Sequence, residues 1–264
     1  MGSKMTKLCS PRSRSPSRPR SPALSSSSSS SSDVVLSKTT ITTTRRPFIL
    51  VPLYIYPHPG AWEPLITAAR GFPQQEFVVV VNPDNGPGEG ERPDENYVGV
   101  LHELRGLSNI RLVGYVYCGY GRRDLGEMEV DIGKYQGWAR EKLKGGCGVE
   151  IKGIFFDEAP SGAEHVEYMA SASSSVRDIL SPTATVVYNP GIFPDYGYYD
   201  SADYVVPFEN AAGEWGGAYV RDNIKMLPRE LRGRSIVIAH SCGDGEEKKR
   251  ILREVKREGW GGIS

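Results

Sequence analysis

The chain has 264 residues, 39% of them hydrophobic, with no net formal charge, so it can bury one large core or two small ones. Nine Lys or Arg and one acid (Asp33) stand in the first 46 residues, leaving about −8 on the remainder and arguing against a general polyanion-binding groove there. No run of about 18 uninterrupted apolar residues occurs, and the N-terminus lacks the apolar centre of a secretory signal.

Residues 1–46 read as a disordered tail: SPRSRSPSRPRSP precedes a run of eight serines ending at Ser32. Such a segment buries too little apolar surface to offset its ordering entropy. Its Arg-Ser-Pro repeats are better read as a solvated tail than as a phosphate-accepting or RNA-binding arm, and no nucleic-acid partner is expected. Residues 47–264 form the folded domain. The cysteines, Cys9, Cys118, Cys147 and Cys242, show no CxxC pair and no zinc spacing with histidine. They read as scattered thiols, with a Cys118–Cys147 bridge left open; no metal or cofactor is expected.

From Phe48 onward, apolar strands alternate with amphipathic helices. FILVPLYIYP (Phe48–Pro57) is the first strand run, followed by a helix from Trp62 to about Arg70. FVVVVNP (Phe77–Pro83) is the second, followed by a Gly/Pro loop and a helix near Tyr97–Leu104. IRLVGYVYCGYG (Ile110–Gly121) is the third, with a helix near Ile132–Leu143. IKGIFFDEAP (Ile151–Pro160) is the fourth, with a helix near Ala163–Leu180. TATVVYNPG (Thr183–Gly191) and ADYVVPFEN (Ala202–Asn210) follow, then a segment around Ala218–Leu227. RSIVIAHSC (Arg234–Cys242) is the seventh, with a charged helix near Glu246–Glu258, and Trp260–Ile263 begins an eighth.

This order predicts an α/β fold with a parallel sheet covered by helices. Seven repeats and the start of an eighth suit a (β/α)8 TIM-type barrel better than an open doubly wound sheet, and no GxGxxG turn follows the first strand. The chain ends in GWGGIS, so a short last strand with no eighth helix is expected, and closure of the barrel at its C-terminus is left open.

In such a barrel the active site lies at the C-terminal strand ends. Those ends carry Tyr54, Tyr56 and His58; Asn82; Tyr115 and Tyr117; Asp157 and Glu158; Tyr188 and Asn189; Glu209 and Asn210; and His240. Tyrosines and amides suit a sugar, whose C–H faces stack on rings and whose hydroxyls take hydrogen bonds. Asp157, Glu158 and Glu209 are the candidate catalytic carboxylates, since glycosidic cleavage needs a proton donor and a second carboxylate. Blander readings stand beside these. Asp157 and Glu158 could cap the next helix, Glu209 could be a loop ion pair, His58 and His240 could be structural, and the tyrosines could pack the barrel mouth. GPGEGERPDENY (Gly86–Tyr97) lacks the GK[ST] of a phosphate loop.

The series VPLYIYP, Trp62, VVVNPDNGPG, PDENY, GYVYCGYG, Tyr135-x-x-Trp138 and GIFFDE resembles the spherulin-4 family from about Phe48 to the end. The resemblance implies a (β/α)8 fold. It also implies an endo-acting glycoside hydrolase of galactosamine-containing polysaccharide, cutting at α-1,4-linked N-acetylgalactosamine. Other members are known only as developmental or cell-surface proteins of slime moulds and fungi, so a non-catalytic carbohydrate-binding or structural role is the alternative. By resemblance the acidic pair is Asp157 and Glu158, the later glutamate is Glu209, and Tyr54, Tyr56 and Asn82 line the sugar cleft. Characterised members carry an export signal or anchor, implying a secreted or surface location. None is visible here, so localisation stays unknown. Members usually continue past the eighth strand, where this chain stops.

Overall fold

Phe48 and Leu50, Val78 and Val80, Val113 and Tyr115, and Ile236 and Ile238 belong to one buried cluster, while Phe77, Val79, Val81, Leu112, Val116 and Val237 belong to another. Successive strand residues thus alternate between two cores, as the two-residue period of a strand requires. The inner cluster fills a barrel, and the outer one joins the barrel to its helices. The structure, a computed structural model, describes residues 46–140, 148–243 and 245–264. The expected tail, except Arg46, lies outside the described residues, as do Cys9 and Cys147 and with them any Cys118–Cys147 bridge.

Eight parallel strands close into a ring in chain order. They are β1 (Phe48–Leu53), β2 (Phe77–Val81), β3 (Ile110–Tyr117), β4 (Gly153–Asp157), β5 (Thr185–Tyr188), β6 (Tyr204–Ala211), β7 (Ser235–His240) and β8 (Gly262–Ile263). The helices between them are α1 (Glu63–Gly71), α2 (Glu95–Arg105), α3 (Leu125–Arg140), α4 (Val166–Ile179), α5 (Tyr198–Ser201), α6 (Ala218–Asp222), α7 (Arg229–Arg232) and α8 (Gly245–Glu258). The short α5 and α7 carry too few residues for a visible helical period. The third strand stops at Tyr117, because the CGYG expected to continue it makes a turn with positive φ at Gly119, Tyr120 and Gly121.

The barrel does close at its C-terminus. β8 pairs with both neighbours, Phe48↔Gly262 and Ile49↔Ile263 on one side and Ile236↔Gly262 and Val237↔Ile263 on the other. Phe48 N–H donates to the Gly261 carbonyl at 3.0 Å, and Ser264 N–H to the Val237 carbonyl at 2.9 Å. Two residues suffice because each reaches both flanking strands. Trp260, expected within this strand, instead packs edge-on against Trp215 in the outer core.

Helix α3 is fastened to the barrel through Tyr135. Its ring lies over Gly114, where an added Cβ would stand 2.5 Å from a ring carbon. This close approach demands glycine. The Tyr135 hydroxyl accepts from the Tyr115 N–H at 3.1 Å and lies 3.0 Å from the carbonyl oxygens of Val81 and Tyr115. Tyr135→Phe leaves these buried backbone groups short of a partner. It is expected to lower stability by about 1–3 kcal/mol in urea unfolding.

Burial, chiefly, raises the hydroxyls of Tyr188 and Tyr199 to about 12. A group whose folded value is raised gives stability that is complete below its unfolded value, about 10 for tyrosine, and that is lost as pH climbs toward the folded value. Urea-unfolding stability is therefore expected to fall between about pH 10 and 12. In the folded chain, tyrosinate absorbance of Tyr188 and Tyr199 should lag that of exposed tyrosines and appear only toward about pH 12.

Candidate active site

The inward phase of each strand selects what reaches the mouth of the barrel. Two residues beyond Phe155 comes Asp157, two beyond Val187 comes Asn189, and two beyond Leu50 and Pro52 comes Tyr54. Strand β6 would break this pattern. Val206 faces inward, so strict alternation would turn Glu209 out toward the helices. The β6–β7 register shifts between Val205 and Phe208, around Pro207. This β-bulge places Phe208 in the outer core and returns Glu209 to the inner phase.

The result is one hydrogen-bonded cluster. Tyr115 Oη donates to Asp157 Oδ2 at 2.9 Å. Asn189 Nδ2 donates to Asp157 Oδ1 at 2.7 Å and to Glu209 Oε2 at 2.6 Å. Two acceptors on one nitrogen lie within about 5 Å of each other. Asn189 Oδ1 accepts from the Gly191 N–H at 3.1 Å. Gly191 has φ 68°, and Glu209 N–H donates to its carbonyl at 2.9 Å. The Tyr54 ring stands edge-on to Tyr115, with centroids 5.6 Å apart. Tyr54 is 48% exposed, but burial at its hydroxyl end, then the charges of Asp157 and Glu209, push that hydroxyl well above the usual tyrosine range. Burial first, then the charge and hydrogen bond of Asp157, do the same to Tyr115.

Glu158 adopts φ 48°, a left-handed conformation that costs a non-glycine residue about 1–2 kcal/mol. Hydrogen bonds on both sides hold it there. Cys118 N–H donates to the Asp157 carbonyl at 2.8 Å, Tyr120 N–H to the Glu158 carbonyl at 2.7 Å, and Ala159 N–H to the Asn189 carbonyl at 3.0 Å. Its half-buried carboxylate takes no hydrogen bond or ion pair among the described residues. Its charge helps raise the buried Cys118 thiol, after burial itself and the charge of Asp157. Tyr117 lies opposite Asp157 in the β3–β4 register, with the Arg123 guanidinium 4.5 Å from its ring centre.

Other expected site residues stand elsewhere. Tyr188 is corrected: alternation turns it into the outer core, where it is fully buried. Its hydroxyl donates to the Met169 carbonyl at 2.6 Å and also meets Ser173 and Ser201. It packs the barrel against α4 and α5 and does not face a sugar cleft. Tyr56 Oη donates to Asp94 Oδ1 at 2.7 Å, the same oxygen that caps α2, and the Tyr56 ring packs on His58. Asn82 Oδ1 accepts from the Gly86 N–H at 2.8 Å and shapes the Gly/Pro loop. Asn210 is exposed, and its Oδ1 accepts from the Ala211 N–H. His240 is exposed beside Ser241 at 3.0 Å. None of these six is joined to the carboxylate cluster by a hydrogen bond among the described residues. Sequence reading missed Pro207 and Gly191. A proline inside an apolar strand run is the signal for such a bulge, and YNPG is a turn signal.

The profile of the Spherulin4 family, "Spherulation-specific family 4", matches residues 48–264. The chain belongs to that family. Spherulin-4 of Physarum polycephalum is 32% identical over 171 residues, which are 65% of this chain and 47% of that protein. The chain thus spans about half the length of this curated relative. Among solved structures, that of Aspergillus clavatus Sph3 in complex with GalNAc superposes with a TM-score of 0.74 at 33% identity, over 83% of this chain and 88% of that one. The closed (β/α)8 barrel is common to both. Among the described residues, no helix of this family member is long and apolar enough to cross a membrane.

Tyr115→Phe removes one of the donors that hold Asp157 in its half-buried place. It is expected to lower stability by about 1–3 kcal/mol, read by urea unfolding at neutral pH.

Proposed function

We propose that the chain is a glycoside hydrolase acting within polysaccharides that contain N-acetylgalactosamine, with retention of configuration. The observation that carries this reading is the Asp157–Asn189–Glu209 bridge: two carboxylate oxygens that share one nitrogen lie within about 5 Å of each other, which supports the short separation of about 5–5.5 Å that retaining glycosidases use. The sugar class rests on the relative that is solved with GalNAc bound. Exposed tyrosines on the segments following β1, β3, β5 and β6 (Tyr54, Tyr120, Tyr196 and, in α6, Tyr219) support a long substrate crossing an open rim.

Both Asp157 oxygens are held by donors, so it is the fixed nucleophile that attacks the anomeric carbon. Glu209 keeps Oε1 without a hydrogen-bond partner among the described residues. It is the acid that protonates the leaving glycosidic oxygen. In the second half of the reaction Glu209 takes a proton from water, which attacks the anomeric carbon and releases Asp157. Glu158, adjacent but unpartnered, contacts the sugar at the cleavage point.

The test is reducing-end release from a polymer of α-1,4-linked N-acetylgalactosamine by residues 47–264. Wild type should release oligosaccharides whose new reducing ends are first seen as the α-anomer by NMR. Asp157→Asn and Glu209→Gln should each lose at least about a thousandfold in kcat. Saturable binding without any product would instead make the chain a carbohydrate-binding protein, and β-anomeric first product would overturn the role assignment.

A further inference from the structure

Asn189 reads from sequence as a sugar-binding amide, but its hydrogens are already committed. Both N–H bonds of Nδ2 point to carboxylates, at 2.7 Å to Asp157 and 2.6 Å to Glu209. The residue is buried, 5% exposed. Nothing remains on its nitrogen to donate to a hydroxyl.

Two negative groups this close repel each other, and ordinarily a cation would sit between them. Here no ion pair involves Asp157 or Glu209 among the described residues. The other titratable groups that lie against the pair are the Tyr54 hydroxyl just after β1, the Tyr115 hydroxyl from β3, the Cys118 thiol just after β3 and the Glu158 carboxylate just after β4. None is a base. The Asn189 amide is the neutral donor that faces both carboxylates at once.

Its orientation is fixed from behind. The Gly191 N–H donates to Oδ1 at 3.1 Å, and only the amide oxygen can accept on that side, which sends Nδ2 toward the carboxylates. The main chain of Asn189 is held on both faces, donating to the Phe156 carbonyl at 2.8 Å and accepting from Ala159 N–H at 3.0 Å. Serine, threonine or aspartate cannot replace these two forked donors, and glutamine is one methylene too long for the gap.

We propose that Asn189 is a positioning residue for the reaction: it binds no substrate, and it holds Asp157 and Glu209 at their working separation by donating one hydrogen to each. This role rests on the glycosidase reading above. It also predicts how the amide differs from its closest relatives. Asn189→Asp keeps the shape and the Gly191 bond but replaces two donors by a third anionic oxygen, so the cluster must take up a proton to persist. Asn189→Ala removes the donors and adds no charge.

The experiment compares kcat, KM and the pH profile of wild type, Asn189→Asp and Asn189→Ala on the same polymer, with folding of each verified by circular dichroism. Both variants should lose about a hundredfold in kcat while KM stays within about threefold. The acidic limb of the kcat profile should move to higher pH, by at least about one unit for Asn189→Asp and by less for Asn189→Ala. An unshifted profile in both, or a loss confined to KM, overturns the positioning role and makes Asn189 a substrate contact. If Asn189→Asp fails to fold, Asn189→Ala decides by the same criteria. Absence of turnover in wild type overturns the glycosidase reading itself, and with it the role built upon that reading.

Discussion

Ring closure through Gly262 and Ile263 is the constraint on which the remainder depends. A closed parallel ring has an inside and an outside for every strand, and period two then assigns each residue to one of them. Phe48, Leu50, Val78, Val80, Val113, Phe155, Val187 and Val206 fill the interior because they share that phase. The same phase, carried two residues further, delivers Tyr54, Asp157 and Asn189 to one mouth. An open sheet would leave β1 and β7 apart, and Tyr54 would not meet the Asp157–Glu209 pair.

The strain in the backbone is gathered at that same end. Non-glycine residues with positive φ among the described residues are Asn85, Tyr120, Glu158 and Ser241, each shortly after a strand's C-terminal end. The opposite end is relaxed and tied by ordinary side-chain bonds, such as Asn109 Nδ2 reaching the carbonyls of Ala69, Phe72 and Gln75. Strained residues persist where surrounding hydrogen bonds over-determine them, and around Glu158 those bonds come from Cys118, Tyr120 and Ala159.

Much of the barrel was legible in the chain because continuous apolar runs, FVVVV or GIFF, admit few other folds. The placement of Asp157 was legible too, since it directly follows such a run. What period and composition did not reveal were the facings. Tyr188 and Asn189 are neighbours at one strand end, and both look polar and aromatic enough for a sugar. Only one can face inward, and the inner phase of Val187 gives that place to Asn189. Likewise Glu209 reached the cluster through an inserted residue that no periodic reading anticipates, although Pro207 marks it. The double duty of Asn189 depends on distances, which a sequence does not carry.

The bulge at Pro207 has a consequence for how relatives of this chain are compared. Facing is inherited by count, not by residue type. A homologue that keeps every carboxylate but lacks the one extra residue in β6 would present its glutamate to the helix layer and an apolar side chain to the mouth. In an alignment it would score as nearly identical, with a single gap, while its cleft would be chemically empty on one side. Gap position in β6 is therefore a sharper criterion for shared chemistry within the family than the identity of the glutamate itself.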